Sequence, residues 1–138
     1  NVPMEDRCRQ SPSKVDEIRT EITQYTTYNE KLTHLIDLAI NKRRAKMKEF
    51  GHRFIDIHER EMVMKIFSNA FYKLFKEIIE TGTIKGEFEV DDMDLTLKYV
   101  QGIMMQSIQV LDQDIDAPVE EHAKRAVLKL LQHTERNN

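Results

Sequence analysis

The stretch EMVMKIFSNAFYKLFKEIIETG, residues 61–82, decides the fold. Its Ile66, Phe67, Ala70, Phe71, Leu74, Phe75, Ile78 and Ile79 recur at helical spacing and fill two adjacent stripes of one wide apolar face. The spacing predicts a helix from about Glu61 to Thr81, with Gly82 just past its end, where a glycine commonly stops a helix. A face that wide needs cover from more than one neighbour.

The neighbours are legible on both sides. Upstream, Leu32, Leu35, Ile36, Ala39, Ile40 and Met47 form the buried stripe of a second helix, capped by Asn29 and running to about Gly51. Before it, Val15, Ile18, Ile22 and Tyr25 mark a shorter helix with Ser13 as N-cap and Asp16 at the capping-box position. Phe54, Ile55 and Ile57 make a brief apolar patch between the long helices. Downstream, TGTIKGEFEVDD (81–92) reads as a connection whose Ile84 and Phe88 pin it to the core. Asp91 or Asp92 then caps a helix bearing Leu95, Leu97, Val100, Ile103, Met104, Ile108 and Leu111. An Asp-rich turn follows, and Pro118 opens a last helix with Val119, Ala123, Ala126, Val127, Leu130 and Leu131 on its apolar face. The expected fold is an all-α antiparallel bundle of about five or six helices over residues 14–138, with residues 1–13 a polar, flexible lead-in.

Composition supports this. Four glycines and three prolines in 138 residues are too few for an all-β domain, which needs turn residues at short intervals. With 40% hydrophobic and 33% charged residues the chain can build a core and a solvated surface. A net charge of −3 gives no global attraction to nucleic acid or anionic membrane. The single Cys8 excludes an internal disulfide and a cysteine-based zinc site and suits a reducing compartment, so a cytoplasmic location is expected. No positive-then-apolar leader opens the chain and no stretch approaches the roughly 18 apolar residues of a membrane span, so no bilayer insertion is expected.

Three near-motifs fail on inspection. His58-Glu59-Arg60-Glu61-Met62 begins like the zinc-protease H-E-x-x-H, but Met62 replaces the second histidine. Asp112, Asp114 and Asp116 open like a calcium loop, yet Ala117 and Ala123 stand where it needs glycine and a bidentate glutamate. The basic run Lys42, Arg43, Arg44, Lys46 and Lys48 falls in the last turns of a helix, where cations are favoured by the helix dipole. His52 and Asp56 read as a surface pair. No catalytic residues, metal ligands or cofactors are expected: phosphate loops, nucleophile elbows and Glu-x-x-His tetrads are all missing from the sequence. What stands out is methionine and aromatic residues on helix faces: Met62, Met64, Phe67, Phe71 and Phe75, then Met104 and Met105. Such residues are most often plain core, and the alternative is a pliable apolar pocket between helices.

The order KEIIETG, TIKGEFEVDDMDL, LTLKYVQGIMMQSIQVL resembles the C-terminal regulatory domain of TetR/AcrR-type transcriptional repressors. There a long helix ends in a GxxxGEF-like turn, here Gly82, Gly86, Glu87 and Phe88; an acidic cap follows, here Asp91 and Asp92; and a glycine lies mid-helix, here Gly102. About residues 29–133 lie on the pattern, with 78–103 the most specific part. Nothing matches the family's N-terminal helix-turn-helix, so operator DNA is expected as a partner only through a part of the protein missing from this chain. The resemblance implies a homodimer through the last two helices, using Gly102, Ser107, Ala123, Ala126, Val127, Leu130 and Leu131. It also implies a small apolar or amphipathic effector against Leu35, Ile36, Ala39, Phe67, Phe71, Met104 and Ile108, with a polar handle from Tyr72, Gln101 or Gln106. The alternative is a dimeric helical interaction module with no small-molecule ligand.

Overall fold

The computed structural model describes the backbone of residues 14–50 and 57–132, and their side chains apart from residues 14, 50, 57–64 and 66–68. All regular structure among the described residues is helical: α1 (Lys14–Ile22), α2 (Tyr28–Phe50), α3 (Ile57–Ile84), α4 (Met93–Gln113) and α5 (Val119–Leu131). The all-α bundle expected from periodicity is what the chain forms. The lead-in over 1–13, the Ser13 cap, the patch at Phe54 and Ile55, the His52–Asp56 pair and the side chains of His58 to Met62 lie outside the described residues.

Helix α2 is the centre, and each of the other four helices packs on it. Leu32, Leu35, Ile36 and Ile40 are 0% exposed and Ala39 1%, as the i, i+3, i+4, i+7 stripe requires once helices surround it. Its N-terminus is built differently from the expectation. The helix starts at Tyr28, and Thr27 rather than Asn29 is the cap: the Glu30 N–H donates to Thr27 Oγ1 at 3.0 Å, and the Thr27 N–H donates to Glu30 Oε1 at 3.3 Å. This Thr-x-x-Glu capping box competes successfully with the lone Asn29 because it satisfies two backbone donors reciprocally.

Helix α3 runs past Gly82 to Ile84, so Gly82 is not its terminator. The left-handed residue is Gly86, at φ 87°, and the Glu87 N–H reaches back to the Gly82 carbonyl at 2.9 Å. Gly82 has a steric role instead: a Cβ there would lie 2.4 Å and 2.5 Å from Cε2 and Cδ2 of the buried Phe88 ring, and 3.1 Å from Tyr28 Cβ. Glu87 completes the junction by accepting hydrogen bonds from the backbone N–H groups of Tyr28 (3.0 Å) and Asn29 (3.2 Å) at the start of α2. The sequence GEF therefore turns the chain, caps α2 and inserts an aromatic plug. Ile84, expected as a second pin, is 83% exposed, because the two extra residues of helix carry it past the edge of the core.

Of the two candidate caps for α4, Asp92 is the one used, accepting from the Leu95 N–H at 3.1 Å. Pro118 occupies the cap position of α5 rather than its first helical residue. Tyr25 lies beyond α1, where its hydroxyl meets Nδ1 of His34 at 3.1 Å. Arg19 ties α1 to α3 through a fork on Glu77 at 2.8 and 3.3 Å, an exposed pair of small energetic weight.

The Gly82–Phe88 contact yields a test. Alanine's better helix propensity contributes about 1 kcal/mol in favour of Gly82→Ala, whereas overpacking a filled junction typically costs about 1–3 kcal/mol. With ring atoms inside 2.5 Å the steric cost is expected to win, lowering the urea midpoint. A midpoint at or above the parent's would show that Phe88 is not tightly held.

Candidate functional site

Two surfaces of α4 face candidate sites. At about 100° per residue, Leu97, Val100, Gln101, Met104, Met105 and Ile108 share one side of the helix. Lys98, Tyr99, Gly102, Ile103, Gln106 and Val110 share the opposite side.

The first set lines a cavity in the α3–α4 seam, closed by Phe71, Tyr72 and Phe75 of α3 and by Ala39 of α2. Its volume is about 30 Å³, room for about two water molecules. Among the described residues no lining side chain carries a charge, and the polar groups are the Tyr72 phenol and the Gln101 amide beside two thioethers. Six of the ten residues expected around an effector meet here, Ala39, Phe71, Tyr72, Gln101, Met104 and Ile108, whereas Gln106 lies on the opposite side of α4. Leu35 and Ile36 do not; both are 0% exposed inside the core, because α2 is enclosed by its neighbours at that level. The Phe67 side chain lies outside the described residues. Phe75 and Met105, two of the methionine and aromatic residues that stand out on the helix faces, line it as well, as do Leu97 and Val100, which the expected set lacks although their i, i+4 relations to Gln101 and Met104 carry the signal.

The second set forms, with α5, a broad open groove of about 920 Å³. Tyr99 (54% exposed), Val110 (41%) and Leu130 (36%) present large apolar groups along it. Gly102, Ser107, Ala123, Ala126 and Leu130 of the expected pairing face all line it. Val127 and Leu131 do not, being 0% exposed in the protomer's own core. The reason is register: Ala123, Val127 and Leu131 form one i, i+4 stripe turned inward, while Val119, His122, Ala126 and Leu130 form the next one, turned out. Ala123 is the groove's floor at 2% exposure. A Cβ added to Gly102 would meet nothing within 4 Å, so no neighbour among the described residues requires a glycine there. Among the described residues, Lys98 and His122 are its only ionisable side chains besides the Tyr99 phenol, and Lys98 pairs with Asp94 at 3.3 Å.

The basic run and the acidic turn, dismissed separately as DNA-contact and calcium motifs, meet each other. Arg44 Nε donates to the Ile115 carbonyl and Nη2 to the Ala117 carbonyl, both at 2.8 Å, and the guanidinium forks onto the Glu120 carboxylate. Arg43 approaches Asp112 and Lys48 approaches Asp116, each at 3.9 Å. Hydrogen bonding from Arg44 holds the Glu120 carboxyl below the usual carboxylate range and raises the Arg44 pKa in turn. Lys124, raised by its hydrogen bonds to Glu121 and Asp37, adds a second tie from α5 to α2. Among the described residues no group of three His, Cys, Asp or Glu is arranged to hold a metal, and no helix is long and apolar enough to cross a membrane.

Comparison with known proteins finds no match for this chain among family models, curated proteins or solved structures.

Arg44→Met keeps the aliphatic stem but leaves two carbonyls and Glu120 without their donor, and should cost about 1.5–3 kcal/mol at pH 7. Because the folded Glu120 pKa is depressed, its part of that stability is present above the unfolded value of about 4.3 and disappears as pH falls toward the folded value. The parent's advantage over the variant in urea unfolding should therefore hold from pH 7 to about 5 and narrow below 4, retaining only the carbonyl contacts. An advantage that stays constant down to pH 3 would mean that the carboxylate contributes nothing.

Proposed function

We propose that this chain is a homodimerising regulatory module that senses a small, uncharged apolar or amphipathic molecule, in the manner of the effector domain of a TetR-type repressor. The observation that carries the pairing half is Gly102. A glycine in a helix interior costs about 1 kcal/mol relative to alanine, and no contact among the described residues calls for it. It lies in an open groove between exposed Tyr99, Val110 and Leu130, where a second backbone can come close. The occupant that fits is a second copy. The face is nearly neutral and presents an antiparallel helix pair, so two copies meeting across a two-fold axis form a four-helix contact with no opposed charge excess.

The sensing half rests on the uncharged seam of Phe71, Tyr72, Phe75, Gln101, Met104 and Met105. DNA contact is not assigned to this chain, since Arg43, Arg44 and Lys48 of the basic run face the acidic turn. The second reading, an interaction module without a ligand, is favoured by the cavity's size: about 30 Å³ against the roughly 300–1,000 Å³ typical of ligand pockets.

Two measurements test the two halves. Sedimentation velocity should show a dimer for the parent and a monomer for Leu130→Glu, which places a carboxylate on the groove wall. Gly102→Ala should weaken the dimer while raising the stability of the protomer by about 1 kcal/mol. A monomeric parent, or a dimer indifferent to both changes, removes the pairing reading.

For the ligand, titration with the neutral fluorophore N-phenyl-1-naphthylamine should give saturable binding, one site per protomer, and a raised melting temperature that follows mass action. Absence of saturable binding would leave the interaction-module reading in place.

A further inference from the structure

We infer that occupation of the α3–α4 seam and pairing of two copies through the α4–α5 groove oppose each other, because α4 is the common wall of both. This rests on the function proposed above and adds its regulation. The argument starts from volume. A cavity of about 30 Å³ holds about two waters, so any organic ligand must displace a wall. The α2–α3 side is the least able to yield: Leu32, Leu35, Ile36 and Ile40 of α2 and Ile79 of α3 are 0% exposed, and the Gly82–Phe88–Tyr28 junction locks the end of α3 onto the start of α2. Helix α4 meets α3 along a sparser contact and packs most closely on α5. The seam therefore opens by pushing α4 outward, and the side of α4 facing away from the seam is the one that carries Tyr99, Gly102 and Val110 into the groove.

In the free chain that outward side is open. In a pair it is held by the second copy, whose closest approach falls at Gly102. Ligand must then either push against the mate or stay out. The two events compete without sharing a residue of α4, since the α4 side chains at the seam and those at the groove are separate sets. Thermodynamic linkage makes the effect reciprocal: with one site on each protomer, the factor by which saturating ligand weakens pairing is the product of the factors by which pairing weakens binding at the two sites.

The experiment uses the 138-residue chain with N-phenyl-1-naphthylamine as probe. Saturating probe should raise the dimer dissociation constant measured by sedimentation by about fivefold or more, the lower end of ordinary coupling factors. Tyr99→Glu, a change at an exposed position that blocks pairing, should bind the probe more tightly per site than the dimeric parent by the square root of that factor, about twofold or more. Leu130→Glu, on α5 rather than α4, should behave alike. Ala39→Val takes space from the α2 side of the seam without touching the groove, and should weaken both probe binding and the probe's effect on pairing. Probe affinity equal in dimer and monomeric variants overturns the inference while leaving both halves of the proposed function standing. Probe binding untouched by Ala39→Val, with pairing still weakened, overturns it as well, because the probe then sits in the groove and competes directly. A parent that never pairs, or never binds probe, removes the corresponding half of the proposed function and the inference with it.

Discussion

The burial of one stripe of α2 is the constraint on which the rest of the molecule depends. Leu32, Leu35, Ile36, Ala39 and Ile40 have at most 1% of their surface in solvent, so every direction from that stripe must be filled by another helix. A helix only 10–12 Å across cannot be enclosed by a single partner. Here α3, α4, α5 and α1 all contribute. The demand fixes what each of them presents inward: Leu74 and Ile79 from α3, Val100 and Leu111 from α4, Val127 and Leu131 from α5. It also explains why Val127 and Leu131 are unavailable to a partner chain while their neighbours Ala126 and Leu130 are not. A helix in a bundle can use one stripe for its own core and offer the adjacent one outward.

The polar ends of α2 turn this packing into a defined register. At one end Glu87 and the Thr27–Glu30 box satisfy its first N–H groups, and at the other Arg43, Arg44 and Lys48 meet the acidic turn between α4 and α5. Apolar contacts are non-directional and tolerate sliding. The Arg44 fork on Glu120 and its bonds to the Ile115 and Ala117 carbonyls do not, because a planar guanidinium accepts only a narrow range of geometries. The α4–α5 pair is consequently held in place at the turn, while the middle of α4, at Gln101 and Met104, has mostly side-chain packing to restrain it.

Helix order, the inward stripes and the all-α class were legible because each rests on periodicity within a single segment. What was not legible depended on contacts between segments. Gly82 looked like a helix terminator, since a glycine after KEIIET is locally ambiguous; only the Phe88 ring, six residues on, shows that it serves a close approach. Leu35 and Ile36 shared a stripe with Ala39 and were assigned to the same cavity, yet only Ala39 reaches the seam. The difference lies in how α3 and α4 diverge, which no one-helix pattern encodes. The basic run and the aspartates were weighed one at a time against external partners, although they lie within 4 Å of each other in the fold. Their opposite signs, at two helix ends that an antiparallel bundle brings together, were the available clue.

The contrast between a nearly closed seam and an open groove bears on how sensitive such a module can be. A ligand for the seam binds a conformation that the empty chain populates only in part, so its apparent affinity falls by the fraction of molecules with α4 displaced. Methionines limit that penalty, because Met104 and Met105 change shape by rotating flexible thioether chains rather than by moving backbone. In the proposed pair, the mate would act in the opposite sense by holding α4 against α3. On that proposal the strength of the contact at Gly102 would set the threshold at which the seam admits a ligand, so a residue that touches no ligand would govern the response. Substituting it changes two quantities at once, the intrinsic helix stability of α4 and the grip of the mate, and only the second depends on protein concentration. That dependence separates a glycine kept for assembly from one that is merely tolerated in a solvent-facing helix.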